Sequence, residues 1–120
     1  MIEGIGTDII GLDKIGHYSN KNYFVNLVFT KKEIGYARSK KDKVSHFATT
    51  FAAKEAIFKA LGTGWLNPKE IEIIRDKKGK PKAVLSGGLK RLLKESKIML
   101  SLSYSNEYAV AFAVIKKEKK

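Results

Sequence analysis

Glu55 stands in the apolar stripe of the longest helical stretch of this chain, and an acid in that place restricts what can pack around it. On a 3.6-residue period Val44, Phe47, Ala48, Phe51, Ala52 and Phe58 fall on one face, and Glu55 projects from the same face. A buried, ionised carboxylate costs several kcal/mol or becomes neutral unless something positive holds it. Three compensations are open: a metal ion, a cationic side chain or a hydrogen-bond network. The plainest alternative is a rim position paired with Lys59 one turn on, since such i,i+4 pairs stabilise a helix by about 0.2–0.5 kcal/mol.

The 120 residues, 43% of them hydrophobic, suffice for one ordinary core, so one domain is expected over residues 1–120. There is no cysteine, hence no disulfide framework, no thiolate nucleophile and no Cys-ligated zinc, as suits a reducing compartment. With only His17 and His46 besides, any metal would take oxygen ligands, which favours Mg²⁺, Mn²⁺ or Ca²⁺. The start, Met1 to Gly4, lacks the charged and apolar regions of a signal peptide, and no stretch reaches membrane-spanning length. A soluble, cytoplasmic protein is expected. The formal net charge of +12 steers the chain towards something acidic: nucleic acid, an anionic surface, a polyphosphate or an acidic protein. The basic tail at 116–120 is expected to fray.

Met1 to Leu12 reads as a strand. Ile2, Gly4, Gly6, Asp8 and Ile10 share one face, and Ile5, Thr7 and Ile9 share the other. Asp8 is the lone charge on a face cleared by two glycines, a sign of close approach by another backbone or a ligand. Asp13 to Asn20 reads as a loop, and a short amphipathic helix follows through Tyr23, Phe24, Leu27 and Val28. Thr30-Lys31-Lys32-Glu33 has the capping-box pattern and predicts a second short helix through Ile34 and Arg38. The main helix then runs from about Val44 to Leu61 and stops at Gly62-Thr63-Gly64. Beyond it, strands over 71–75 and 82–85 flank a hairpin-like turn. A short helix carries Leu89, Leu92 and Leu93, and two strands over 98–103 and 108–115 close the chain. The order predicts an α+β fold, a mostly antiparallel sheet wrapped around one long helix.

An acid on a cleared strand and an acid on the helix that packs against it have the makings of a site for one hard cation. Mg²⁺ is commonly held by one or two carboxylates plus waters and substrate phosphates. Lys59, on the face of Glu55, would bring an ammonium to the same phosphates, a combination suited to phosphoryl-type transfer. No G-x-x-x-x-G-K-[ST] loop is present, which argues against a P-loop enzyme. Gly62-Thr63-Gly64 suits a phosphate contact or a helix cap.

Four blocks carry a family resemblance: Gly4-Ile5-Gly6-Thr7-Asp8-Ile9, then Phe51-Ala52-Ala53-Lys54-Glu55-Ala56 with Lys59-Ala60-Leu61-Gly62-Thr63-Gly64, then Gly79-Lys80-Pro81, and Leu100 to Tyr104 with Glu107-Tyr108-Ala109. Their ordered set, spanning almost the whole chain, resembles the holo-acyl-carrier-protein synthases. The resemblance implies a 4'-phosphopantetheinyl transferase fold and transfer of phosphopantetheine from coenzyme A to a serine of apo-acyl carrier protein, releasing adenosine 3',5'-bisphosphate. It further implies a homotrimer with active sites between subunits. By the same resemblance Asp8 and Glu55 are the Mg²⁺ ligands, and with Lys59 they form the catalytic set. Lys59, Gly62, Gly64, Lys80, Pro81 and Tyr104 match coenzyme A-binding positions. Lys14 and Lys21 are the expected docking charges for the acidic carrier, to which a basic enzyme would be steered.

Two residues depart from the family pattern. Thr50 stands where an arginine linked to a coenzyme A phosphate is usual, and Tyr104 stands where many members have histidine. Nearby lysines such as Lys41 and Lys43 are candidates to supply the missing charge. The rival reading is a basic nucleic-acid-binding domain without catalysis, using aromatics such as Tyr18, Tyr23 and Tyr36. It leaves Asp8 and Glu55 unexplained, because acids repel a polyanion.

Overall fold

The computed structural model describes residues 1–118. The first strand, β1 (Ile2–Gly11), is followed by four helices: α1 (Leu12–Tyr18), α2 (Asn22–Val28), α3 (Lys31–Arg38) and α4 (Lys43–Leu61). A single 3-10 turn, Pro68–Glu70, leads into β2 (Ile71–Arg75) and β3 (Pro81–Leu85). Then come α5 (Gly87–Leu92), β4 (Ser96–Tyr104) and β5 (Tyr108–Lys117). All pairing is antiparallel, in a three-stranded sheet of order β1-β5-β4 and a β2-β3 hairpin. Helix α4 packs on β1, β5, β4 and β2, so the expected sheet around one helix is what forms.

Alternation sets which side of the larger sheet meets α4. From β1 the inward residues include Gly4, Gly6, Asp8 and Ile10, and from β5 Ala109, Ala111, Ala113 and Ile115. The helix answers with Ala52, Ala53, Ala56 and Ala60. This seam of small residues brings the two backbones together. A Cβ on Gly4 would overlap the carbonyl oxygen of Ala60, and one on Gly6 that of Ala56. The strand glycines thus clear room for a backbone rather than for a ligand.

The helix is more deeply enclosed than its stripe foretells. Ser45, Thr49, Thr50 and Lys54 are buried along with the apolar residues, because α3 and β2 cover the side opposite the sheet. Lys54 is fully buried, and its Nζ donates to Val28 O at 2.7 Å, Glu33 Oε1 at 2.7 Å and Pro68 O at 2.9 Å. Glu33, also buried, accepts from the backbone N–H groups of Thr30 and Ile73. Burial pulls the ammonium below the usual lysine range, and the adjoining Glu33 carboxylate opposes that pull. Every donor of Lys54 and both oxygens of Glu33 are used, the condition under which a buried ion pair is tolerated.

The capping box forms as expected, with Thr30 and Glu33 bonded reciprocally, and Gly62 ends α4 in the left-handed conformation at φ 74°. Two expectations fail. Leu12–Tyr18 is helical rather than a loop: Ile15 is its one buried anchor, and a single turn from Leu12 to Ile15 is too short a period to advertise a helix. The tail is not frayed at its start, since β5 runs to Lys117 and the N–H of Glu118 donates to Glu95 O at 2.8 Å. Lys119 and Lys120, the end of that expected tail, lie outside the described residues.

Gly6→Ala is expected to push α4 off the sheet and cost about 1–3 kcal/mol, the usual toll of overpacking. Thermal unfolding checks this: a fall of at least roughly 4 °C is expected, whereas Gly11→Ala, whose Cβ would meet nothing within 4 Å, leaves the midpoint in place.

Candidate active site

Asp8 enters the site from the inward face of β1 and Glu55 from the adjoining turn of α4, next to the glycine seam. Together they line a cleft of about 420 Å³ with Lys14, Tyr18, Phe24 and Phe51. Asp8 is buried, at 9% exposure, whereas Lys59 keeps 55% of its side chain in solvent and meets Asp8 only at its tip. The Lys59 ammonium donates to Asp8 Oδ1 at 3.0 Å and to Thr7 O at 3.2 Å. The pairing expected between Glu55 and Lys59 along the helix is therefore not made: Lys59 spans to the strand, where the more deeply buried acid has the greater need of a partner.

Glu55 consequently lacks a direct cationic partner among the described residues. Its carboxyl is pushed above the usual range, first by burial and then by the nearby Asp8 charge, with Lys59 and Lys14 opposing. Two acids facing one cleft form a hard-oxygen donor set. Among the described residues no group of three or more His, Cys, Asp or Glu side chains is placed to hold a metal ion. A cation bound here would complete its shell with water or ligand oxygens, as Mg²⁺ does.

Only one of the remaining candidates is gathered into this cleft. Lys14 lines it, and Lys21 is the N-cap residue of α2. Gly62 and Gly64, with φ of 74° and 71°, shape the turn after α4, from which Trp65 folds back against Phe51 and Phe58. Lys80 and Pro81 sit at the β2-β3 turn, and Tyr104 at the end of β4; none lines the cleft of its own chain. Of the tyrosines named for nucleic acid, only Tyr23 is well exposed. Tyr18 packs on Phe24 and Tyr36 on His46.

The sequence pattern of the 4'-phosphopantetheinyl transferase superfamily matches residues 4–113, a span that holds both acids of the cleft and Lys59. The chain belongs to that superfamily. A holo-[acyl-carrier-protein] synthase of Clostridium acetobutylicum is 40% identical, with 96% of this chain and 98% of the relative covered. The crystal structure of the holo-[acyl-carrier-protein] synthase from Neisseria meningitidis superposes with a TM-score of 0.89 at 34% identity, over 98% of this chain and all of that one. The synthase from Bacillus anthracis in complex with CoA (3',5'-ADP) superposes with a TM-score of 0.85 at 36% identity, over 98% and 99% of the two chains. No helix among the described residues is long and apolar enough to cross a membrane.

Within this transferase superfamily member, sequence reasoning missed one polar neighbourhood. Arg75, at the end of β2, donates to Thr49 Oγ1 at 2.9 Å and reaches Thr50 Oγ1 at 3.5 Å. Its guanidinium lies 5.6 Å from the Tyr36 ring, on which Lys40 also rests at 4.9 Å. His46 meets the same ring edge-on at 5.3 Å, and its Nδ1 is buried without a hydrogen-bond partner. Burial, then Arg75 and Lys40, hold His46 below the ordinary histidine range, with Asp42 opposing. Arg75 is 25 residues from Thr50, and no local spacing could have paired them.

A carboxyl held above its ordinary value binds its proton more tightly folded than unfolded. Its stabilising contribution is present below the ordinary carboxylate range and is lost as pH rises through the folded value. Glu55→Gln is therefore expected to raise the thermal midpoint at neutral pH, with the advantage closing as pH falls to about 4. Melting curves of both proteins across that range are the check.

Proposed function

We propose that this chain, one transferase domain over 1–120, moves 4'-phosphopantetheine from coenzyme A to a serine of apo-acyl carrier protein and releases adenosine 3',5'-bisphosphate. The observation that carries the reading is the convergence of Asp8, Glu55 and Lys59 from β1 and α4 beside one cleft, in a member of the superfamily. The two acids are the site for Mg²⁺, whose charge, when bound, offsets that of the diphosphate. Lys59 is suited to offset the same charge, because its mostly exposed stem lets the ammonium leave Asp8 for the departing bisphosphate. Glu55 or a water held beside it would accept the proton of the attacking serine hydroxyl. Gly62 and Gly64, Lys80, Pro81 and Tyr104 are assigned to coenzyme A.

Because several of these residues lie away from the cleft of their own chain, the reading includes a homotrimer with sites between subunits. Its support is the outer face of the larger sheet, where Ile5, Ile9, Met99, Tyr108, Val110 and Phe112 are all exposed. Such a contiguous apolar face is the mark of an association surface. The basic charge, with Lys14 at the cleft and Lys21 at the start of α2, steers the acidic carrier. Its place of work is the cytoplasm. The acids at the centre of the cleft give a nucleic acid no purchase.

Incubation with coenzyme A, Mg²⁺ and apo-carrier, followed by intact-mass measurement of the carrier, tests the reading. A phosphopantetheine-sized gain is expected; no gain at any Mg²⁺ concentration sinks it. Lys59→Ala is expected to weaken coenzyme A use by about tenfold or more, the scale of a lost charged hydrogen bond. Steady-state kinetics indistinguishable from the parent would remove Lys59 from the mechanism.

A further inference from the structure

Around Tyr36 the chain assembles positive charge that no carboxylate among the described residues pairs with in a salt bridge. Among the described residues the ion pairs are Lys54–Glu33 and Lys59–Asp8, so the half-buried Arg75 has no carboxylate partner. A guanidinium has five N–H donors, and the bonds to Thr49 and Thr50 engage one nitrogen, Nη2. Lys40 lies on the same tyrosine ring, and the neighbouring His46 keeps a bare, buried Nδ1. Against these stands Asp42, whose Oδ2 is 3.5 Å from the Tyr104 hydroxyl. A fixed, partly desolvated arginine fork with spare donors is matched to a phosphate group, which takes two parallel N–H bonds.

The cluster is a station distinct from the acidic cleft. Thr50 precedes Glu55 by five residues, about 7.5 Å along the helix axis and more than a quarter turn around it. Coenzyme A likewise carries phosphate in two places: the diphosphate at which transfer occurs, and a phosphomonoester on the ribose. We propose that Arg75, seated by Thr49 and Thr50 and flanked by Tyr36, Lys40 and His46, is the specificity residue that grips this phosphomonoester. The inference rests on the transferase reading. With sites between subunits, the cluster of one copy serves the cleft of the next. Thr50 and Tyr104, the two departures noted in the sequence, both border this cluster, and the arginine and the histidine found beside them come from other positions. Lys41 and Lys43, the nearer candidates in sequence, are exposed, and the cation that reaches Thr50 is Arg75.

Calorimetric binding of adenosine 3',5'-bisphosphate and of adenosine 5'-monophosphate, beside transfer kinetics with coenzyme A and dephospho-coenzyme A, tests the assignment. Arg75→Met is expected to weaken the bisphosphate and to raise KM for coenzyme A by roughly ten- to a hundredfold, as for a lost charged hydrogen bond. Adenosine 5'-monophosphate and dephospho-coenzyme A, which lack the ribose 3'-phosphate, lose far less. Thr50→Arg added to Arg75→Met restores most of the preference. If Arg75→Met does not fold, Arg75→Lys takes its place and loses several-fold in the same ratio, since it keeps the charge and not the fork. An equal loss for both nucleotides, or none, overturns the assignment. Absence of any carrier mass gain with the parent protein overturns the transferase reading instead, so the two failures are distinct.

Discussion

Gly4 and Gly6 let the carbonyls of Ala56 and Ala60 come down onto the sheet, and the placing of the acidic cleft follows from that contact. A helix resting on side chains of ordinary size would stand farther off, since packed elements are normally held about 10 Å apart by their side chains. Here the separation is set by backbone atoms, with alanines on β5 completing the seam. Asp8, two residues beyond Gly6, is then brought to the flank of the helix beside Glu55. Carboxylates from distant parts of the sequence meet because the residues beside them are nearly absent.

Close approach fixes distance, whereas the buried Lys54–Glu33 pair ties down the other side of the helix. One ammonium holds the end of α2, the cap of α3 and the turn before β2. Lys54 adjoins Glu55 in sequence, so a side chain aimed into the protein and one aimed into the cleft follow each other on α4. Such a pair adds little to net stability over an apolar substitute, but breaking one half is costly. Its effect is to allow the elements around α4 one arrangement.

The strands, the capped helices and the main helix are legible in the sequence because each carries a local signal: alternation in β1, Thr30 with Glu33, Gly62 after Leu61. The acidic pair is legible too, since two acids on apolar faces demand a partner. Lys54 is not. Lys54 lies three residues from Phe51 and four from Phe58, on the stripe itself. A lysine there reads as a stem with its ammonium in solvent, and only the packing of α3 and β2 makes it interior. The same limit hides Arg75 and His46, whose neighbours come from other elements, Tyr36 from α3 and Tyr104 from β4, and not from spacing. Helix α1 passes for a loop because one buried isoleucine in seven residues gives a weak period. The start of the tail passes for coil because lysines along a strand look the same in sequence as lysines in solvent.

The bond from Lys59 to Asp8 carries a consequence for how such a protein is made. Freshly folded chains hold an internal counter-ion at the acid that would otherwise be hardest to bury, so collapse of the core need not wait for a divalent ion. Folding is thereby independent of any cation the cleft takes up, and scarcity of a divalent ion would leave the architecture standing.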